Sequence, residues 1–167
     1  MFSTKNFNRS KPYIFLLLLF PSLLWILQFI TGNLGVNPIE RIMDEFGLMA
    51  LRLIILTLAI TTLANIKKLK SIVLFRRMIG LFAFYYVTLH FSTYIFLDHF
   101  LDINFIIKDI VKRPFITFGF ISFLCLIPLA LTSTNQMVKR LGFKVWKKIH
   151  YLIYPAVILS SFHFYML

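Results

Sequence analysis

The run MIGLFAFYYVTLHFSTYIFL, residues 78–97, indicates the fold class of this chain. Its 20 residues include no Asp, Glu, Lys or Arg. An α-helix needs about 20 apolar residues to cross roughly 30 Å of hydrocarbon. Because backbone polar groups inside lipid must be satisfied within the segment, the run predicts a transmembrane helix and not a strand.

Four further apolar runs have a similar length, and they lie at about residues 13–30, 46–64, 114–131 and 145–167. Arg52 interrupts the second of these runs, and Lys147 and Lys148 lie at the entry of the last. We therefore predict an all-α integral membrane protein, in which residues 1–167 form a single transmembrane domain of five helices.

The overall composition agrees with this fold class. The 167 residues are 59% hydrophobic and only 14% charged, and the mean hydropathy is +0.83. A soluble domain is about half apolar and about one quarter charged, so a soluble enzyme is excluded. A disordered chain is excluded as well, because it would need low hydrophobicity and high charge. The single cysteine excludes a disulfide framework and a cysteine-based metal site.

The distribution of charges predicts the orientation in the membrane. The net charge is +12, and 13 basic residues with no acidic residue lie in the N-terminal tail and in the stretches after the second and fourth runs. The other two loops hold four basic residues and all six acidic ones. The positive-inside rule then places the N-terminus in the cytoplasm.

Histidines are the conspicuous chemical groups of the predicted spans. Ionisable side chains are costly inside a membrane, so they are candidates for function. With the predicted orientation, His90 and His163 lie towards the outer ends of the third and fifth spans, at similar depth. Two such imidazoles are the ligand set of a bis-histidine haem b. The alternative interpretation is that each histidine forms a hydrogen bond between helices.

His150 lies near the inner end of the fifth span. It is 13 residues from His163, which corresponds to about 20 Å on one continuous helix. That separation resembles two haems stacked across a bilayer, and Pro155 between the two histidines provides a kink that re-aims one of them. His99, beside Asp98, is interpreted as a solvated loop residue.

Three arginines are candidates for binding the anionic groups of a cofactor. Arg76 and Arg77 precede the third span, and Arg52 lies one to two turns inside the second. Arginine binds a propionate or a phosphate with two parallel hydrogen bonds. The alternatives are that Arg76 and Arg77 are positive-inside anchors and that Arg52 extends to the interface.

Several motifs together resemble one family, and they cover about residues 31–163. They are Ala50-Leu51-Arg52, Arg76-Arg77-Met78-Ile79-Gly80-Leu81 leading to Leu89-His90, the stretches 109–119 and 128–134, Arg140-Leu141-Gly142, Trp146-Lys147-Lys148-Ile149-His150, and His163. This pattern is similar to the MsrQ (YedZ) family, the haem-binding membrane subunits of the bacterial periplasmic methionine-sulfoxide reductase system. That family lies within the wider ferric-reductase-like transmembrane group.

The resemblance implies that the chain binds haem b, with His90, His150 and His163 matching the ligand histidines of the family. It implies one or two haems, and FMN at the cytoplasmic side. Electrons would come from the quinone pool or from a cytoplasmic flavin reductase. They would pass to a periplasmic molybdopterin subunit that reduces methionine sulfoxide in damaged envelope proteins. Catalytic reduction is then expected in that partner. The chain itself would lie in the bacterial inner membrane.

Members of the family usually continue into a sixth span that returns to the cytoplasm, whereas five spans are predicted here. The sequence is then expected to be either a truncated form or a shortened variant of the family. Two other hypotheses remain open at this point. One is a self-contained oxidoreductase of the ferric-reductase type, which reduces a metal or oxygen directly. The other is a cofactor-free membrane channel or assembly protein.

Overall fold

The computed structural model describes residues 4–63 and 73–167, and these residues form helices joined by turns, with no strand among them. Lys67, Lys68 and Lys70 of the predicted basic loop, and the end of the second predicted span at Ala64, lie outside the described residues. The helices are α1 (Thr4–Ile30), α2 (Pro38–Leu63), α3 (Val73–Thr93), α4 (Ile103–Lys112), α5 (Pro114–Leu131), α6 (Asn135–His150) and α7 (Ile153–Tyr165).

Within residues 4–63 and 73–167, three helical segments are long and apolar enough to cross a membrane, namely Arg9–Ile30, Val73–Asp98 and Pro114–Leu131. The second of these joins α3 to one π-helical turn, Tyr94–Asp98. Large apolar side chains are exposed along α1, as expected where a helix faces lipid. They are Tyr13, Phe15, Leu16, Leu17, Phe20, Leu23, Leu24, Leu27 and Ile30. The all-α membrane fold is therefore confirmed, while the number of five crossings stays a prediction.

The fifth predicted span differs from a single continuous helix. α6 ends at His150, a turn follows at Tyr151 and Leu152, and α7 begins at Ile153. Pro155 is the third residue of α7, where a helix has no internal partner for an amide, so proline is tolerated. The 13 residues of α7 span only about 20 Å. The two histidines of this region thus lie on separate helices, and the spacing argument for one helix does not apply.

α6 itself bends at a glycine. Gly142 has φ 73° and ψ 152°, which interrupts the helical conformation of its neighbours. A positive φ of this size is favourable only for a residue without a Cβ atom. The bend therefore divides the basic segment Asn135–His150 into two shorter helical pieces.

α4 lies in an outer loop of the predicted topology, and the apolar runs did not indicate it. Asp102 caps its N-terminus, because the Asp102 carboxylate accepts a hydrogen bond from the amide of Phe105. One face of α4 buries Ile106 and Asp109, whereas large apolar side chains on another face are exposed. Those exposed side chains are Ile103, Ile107 and Val111.

The first compact unit is formed by α1, α2 and α3 up to Tyr94. Its core lies between one face of α2 and one face of α3. Buried residues on each helix recur mainly at intervals of three and four positions, which places them on one face. The buried residues on α2 are Ile42, Phe46, Ala50, Leu53, Ile54 and Ile60, and those on α3 are Ile79, Phe82, Ala83 and Tyr86. The pairing of α2 with α3 fixes the surroundings of His90.

The second compact unit runs from Ile95 to Leu167 and contains α4 to α7. Small residues line the contact between α5 and α7, which is typical of helix pairs in membranes. Ser122 is buried, and its hydroxyl donates a hydrogen bond of 2.9 Å to the carbonyl of Ala156, which is fully buried. This contact fixes the surroundings of His163.

Candidate functional site

His90 is held against the backbone of α2. Its Nδ1 atom lies 2.9 Å from the carbonyl oxygen of Met43. The side chain approaches α2 at Gly47, where the absence of a Cβ atom leaves room for the ring. His90 is half-buried, so the packing of α2 and α3 orients the imidazole without enclosing it completely.

His163 is held against the backbone of α5 in the same manner. Its Nδ1 atom lies 2.7 Å from the carbonyl oxygen of Phe115. The ring approaches α5 at Gly119, and it stacks on the Phe115 ring with the centroids 6.2 Å apart. His163 is also half-buried. Each compact unit therefore contains one histidine whose ring contacts a backbone carbonyl of the neighbouring helix beside a glycine.

These contacts define the protonation of both rings. A carbonyl oxygen can only accept a hydrogen bond, so Nδ1 of His90 and Nδ1 of His163 each carry the proton. In a neutral imidazole the lone pair is then on Nε2. A second hydrogen bond that fixes the tautomer is the usual support of a histidine that binds a metal. Both histidines thus fit the role of an axial ligand of haem iron through Nε2.

Gly47 and Gly119 were not predicted as part of the site. Glycine in the interior of a helix is unfavourable, and small residues are enriched where membrane helices pack closely. A glycine inside each of two apolar runs was therefore an available signal. The sequence does not show which glycine faces a histidine, because that depends on the register between the helices.

His150, the third predicted ligand, is oriented by its own helix. Its Nδ1 atom lies 3.1 Å from the carbonyl oxygen of Trp146, one turn earlier in α6. The two rings are in contact, with their centroids 4.0 Å apart. The indole of Trp146 in turn donates a hydrogen bond of 3.1 Å to the carbonyl of Thr132. His150 is half-buried, and its role as a ligand stays a prediction.

The three candidate arginines differ in exposure. Arg52 and Arg77 are exposed, whereas Arg76 is half-buried. Arg76 and Arg77 are the fourth and fifth residues of α3, about 20 Å along the helix from His90. They therefore belong to the end of α3 opposite His90, and their binding of an anionic cofactor group stays a prediction.

His99 is not a solvated residue, and that interpretation was wrong. Its side chain is only 15% exposed, and its Nε2 atom lies 3.5 Å from a carboxylate oxygen of Asp98 and 3.7 Å from one of Asp109. The ring packs on Phe105 at a centroid distance of 5.0 Å. Burial of His99 follows from the α4 helix, which the sequence did not indicate. In residues 4–63 and 73–167, no group of three or more His, Cys, Asp or Glu side chains is arranged to bind a metal ion directly.

Asp109 is the acidic residue on which this outer cluster depends. Its carboxylate is 6% exposed and lies 2.7 Å from the Nε atom of Arg113. We expect Asp109→Ala to lower the free energy of unfolding by about 1–3 kcal/mol, because the charged hydrogen bond of the buried Asp109 carboxylate to the exposed Arg113 side chain is lost. SDS-induced unfolding of the purified protein in detergent micelles measures this change.

Asp98→Ala is the matched control, since the side chain of Asp98 is 44% exposed and also faces His99. Its effect is expected to stay within about 0.5 kcal/mol. Equal unfolding midpoints for the two variants would contradict a stabilising role of Asp109.

Comparison with known proteins shows which family this sequence matches. Residues 46–161 match the family model of the ferric reductase like transmembrane component. A protein-methionine-sulfoxide reductase heme-binding subunit MsrQ of Herminiimonas arsenicoxydans is 47% identical over 93% of this chain and 71% of its own length. The subunits of the same name from Caulobacter vibrioides and Ralstonia nicotianae are 50% and 39% identical, over 81% and 99% of this chain and 65% and 76% of their own lengths.

No solved structure matches this chain significantly. The family match covers more than half of the chain and includes Gly47, His90, Gly119 and His150. The chain is thus a multi-pass membrane protein that belongs to the ferric-reductase-like transmembrane family and, within it, to the MsrQ proteins.

Proposed function

We propose that this protein is a membrane electron-transfer subunit that binds haem b, with His90 and His163 as axial ligands. The observation that carries the proposal is the shared arrangement of the two rings. In each case Nδ1 donates to a backbone carbonyl, of Met43 or of Phe115, which directs the ligand atom Nε2 to the opposite side of the imidazole. The relatives are named heme-binding subunits, which supports this role.

Bound haem b supplies a reversible one-electron couple. The protein residues provide the orientation and the basicity of the ligands. Donation from Nδ1 to a carbonyl raises the electron density on Nε2 and favours one tautomer. The packing of α2 on α3, and of α5 on α7, keeps each ring in place, since both carbonyls belong to the backbone of a helix. His150 is a third candidate ligand, oriented in the same way by the carbonyl of Trp146.

We further propose the route of the electrons. The donor is the quinone pool or a cytoplasmic flavin reductase, with FMN at the cytoplasmic side, and the acceptor is a periplasmic molybdopterin-containing reductase of protein methionine sulfoxide. The names of the relatives, which refer to a protein-methionine-sulfoxide reductase, support the acceptor class. The basic stretches, with Arg76 and Arg77 among them, support an anionic cofactor group at the cytoplasmic face. Arg52 is the candidate for a haem propionate nearer the outer side.

The same proposal includes the location. The protein lies in the bacterial inner membrane with its N-terminus in the cytoplasm, because the basic residues collect on one side of the predicted spans. The methionine sulfoxide of oxidised envelope proteins is then on the opposite side. That lesion is reversible, so the pathway would restore apolar methionine side chains.

A second candidate is a self-contained oxidoreductase of the ferric-reductase type, which the family match over residues 46–161 favours. Such a protein would reduce Fe(III) chelates or oxygen without a soluble partner. Reduction of a ferric chelate by the purified subunit alone, at the rate seen with the partner present, would support this second candidate over the first.

The test is the cofactor content of the purified chain. Expressed with haem supply and solubilised in detergent, the protein is expected to show the red-shifted, split absorption of reduced low-spin haem b. Pyridine haemochrome analysis gives the number of haems per polypeptide, and flavin fluorescence after acid release gives the FMN content. A colourless preparation of folded protein would contradict the proposal and favour a channel or assembly role.

A further inference from the structure

We infer that Gly47 and Gly119 are positioning residues that hold the two ligand histidines in the Nδ1-protonated orientation. The inference deepens the proposed function and rests on it, since it concerns the same two histidines. It adds two residues, one on α2 and one on α5, to which the sequence patterns assigned no role. The argument depends on the space beside each glycine and on the carbonyl that each histidine contacts.

The space at both glycines is filled by an imidazole ring. A Cβ atom built on Gly47 would lie 2.9 Å from Nδ1 and 3.1 Å from Cε1 of His90. A Cβ atom built on Gly119 would lie 2.9 Å from Nδ1 and 3.1 Å from Cε1 of His163. Both separations to Nδ1 are shorter than van der Waals contact allows. Any side chain at these positions therefore displaces the ring.

The helix geometry explains why glycine is needed at these two positions. Met43 and Gly47, and likewise Phe115 and Gly119, are four residues apart, so the carbonyl of the first points towards the second. Side chains on a helix tilt towards its N-terminus. A Cβ atom at the second residue thus covers the carbonyl of the first. Glycine at the second position leaves that carbonyl open to an imidazole ring from a neighbouring helix.

The arrangement occurs twice, in compact units that share no helix. α2 accepts the ring of His90 in the first unit, and α5 accepts the ring of His163 in the second. Another glycine between packed helices behaves differently. A Cβ atom on Gly80 would lie 3.6 Å from the Cγ2 atom of Thr57, which is an ordinary contact. Close helix packing alone therefore does not account for the room at Gly47 and Gly119.

The consequence for the ligands is direct. A methyl group at Gly47 or Gly119 would move the ring away from the carbonyl and lengthen the Nδ1–H···O bond. That bond fixes the tautomer and raises the basicity of Nε2, on which the iron potential depends. The two glycines thus act through the histidines and contact no reacting atom themselves.

The experiment compares Gly47→Ala, Gly119→Ala and Gly80→Ala in the full chain, purified in detergent after expression with haem supply. Haem affinity, the haem midpoint potential and the low-spin electron paramagnetic resonance g values are measured for each. We expect Gly47→Ala and Gly119→Ala to weaken haem binding by about 10- to 100-fold and to shift the g values and the potential of the haem that remains. Gly80→Ala is expected to match the wild type in all three.

Two outcomes separate this inference from the proposed function. If the wild type is folded and binds no haem, the proposed function fails, and this inference fails with it. If the wild type binds haem while Gly47→Ala and Gly119→Ala leave affinity, potential and g values unchanged, only this inference is overturned. A loss of the same size in Gly80→Ala also overturns it, because general damage to helix packing would then explain all three variants.

If a glycine variant does not accumulate in the cell, the same replacement is made in a chain that lacks the histidine ring. His90→Ala removes the ring that the new methyl group would meet, so the double variant with Gly47→Ala is expected to accumulate to the level of His90→Ala alone. That recovery supports the inference, because it identifies the His90 ring as the source of the clash. Failure to recover overturns it. His163→Ala with Gly119→Ala is the corresponding pair in the second unit.

Discussion

Alanine in place of His90 or His163 is expected to remove haem from the purified protein. An axial ligand forms a direct bond to the iron, and loss of even an indirect support costs about 10- to 100-fold in metal affinity. Loss of the ligand itself is therefore expected to weaken haem binding at least about 100-fold. The measurement is haem per polypeptide by pyridine haemochrome, together with the α-band of the reduced spectrum.

Two other histidines provide the controls. His99→Ala removes a histidine that contacts Asp98 and Asp109 in the second unit and is not in the predicted ligand set, so its haem content is expected to equal that of the wild type. His150→Ala is expected to retain haem that is bound through His90 or through His163. Added imidazole is expected to restore part of the spectrum of His90→Ala, because the alanine leaves room for a free ring beside Gly47.

The outcomes that contradict this prediction are specific. Unchanged haem in both His90→Ala and His163→Ala would exclude the two residues as ligands. A loss with only one of the two variants would exclude the other residue as a ligand. A loss in His99→Ala as large as in His90→Ala would indicate general unfolding instead of ligand removal.

The sequence predicted the helices whose formation depends on composition alone. The predicted span 114–131 coincides with α5, and 78–97 lies within the continuous segment Val73–Asp98. Long charge-free runs are strong signals because lipid requires a helix of this length. α4 was missed, since its ten residues include charges and its amphipathic pattern is too short to stand out beside the spans. The break at Tyr151 and Leu152 lies inside an apolar run, where hydropathy does not distinguish a turn.

The candidate site was predicted in part for a related reason. His90 and His163 are conspicuous because ionisable side chains are rare in apolar runs. Each ring contacts a main-chain carbonyl and fills the space beside a glycine. Neither feature involves a side chain that the sequence would make conspicuous. Met43 with Gly47, and Phe115 with Gly119, become visible only when the neighbouring helix is placed in register. The buried state of His99 was misjudged because it depends on α4.

The second prediction with a large effect concerns Tyr86, which is fully buried on α3, one turn before His90. Its hydroxyl donates a hydrogen bond of 2.7 Å to the carbonyl of Leu18 and accepts one of 3.2 Å from the amide of Ser22. Those two groups of α1 are four residues apart, and an uninterrupted helix would join them directly. Pro21 lies in this turn, and proline disturbs the hydrogen bonds of a helix interior. The Tyr86 hydroxyl therefore bonds to two main-chain groups of α1 beside Pro21.

Tyr86→Phe is expected to lower the free energy of unfolding by about 1–3 kcal/mol, because two hydrogen bonds between the Tyr86 hydroxyl and the main chain of α1 are lost. The phenyl ring keeps the contacts of Tyr86 with Trp25 and Phe46, so the loss reports the hydroxyl alone. SDS-induced unfolding in detergent micelles, followed by circular dichroism, measures the change.

Tyr85→Phe is the matched control for this hydroxyl. The Tyr85 hydroxyl lies 3.1 Å from the Ser22 hydroxyl, which already donates to the carbonyl of Leu19 at 2.7 Å. Its removal leaves no backbone group of α1 without a partner, so the cost is expected near the average of about 0.6 kcal/mol for a hydrogen bond between membrane helices. Equal effects of the two variants would show that the hydroxyl at position 86 has no special role. A larger effect of Tyr86→Phe would mean that α1 is attached to α3 one turn from His90, through hydrogen bonds from one side chain to the main chain of α1.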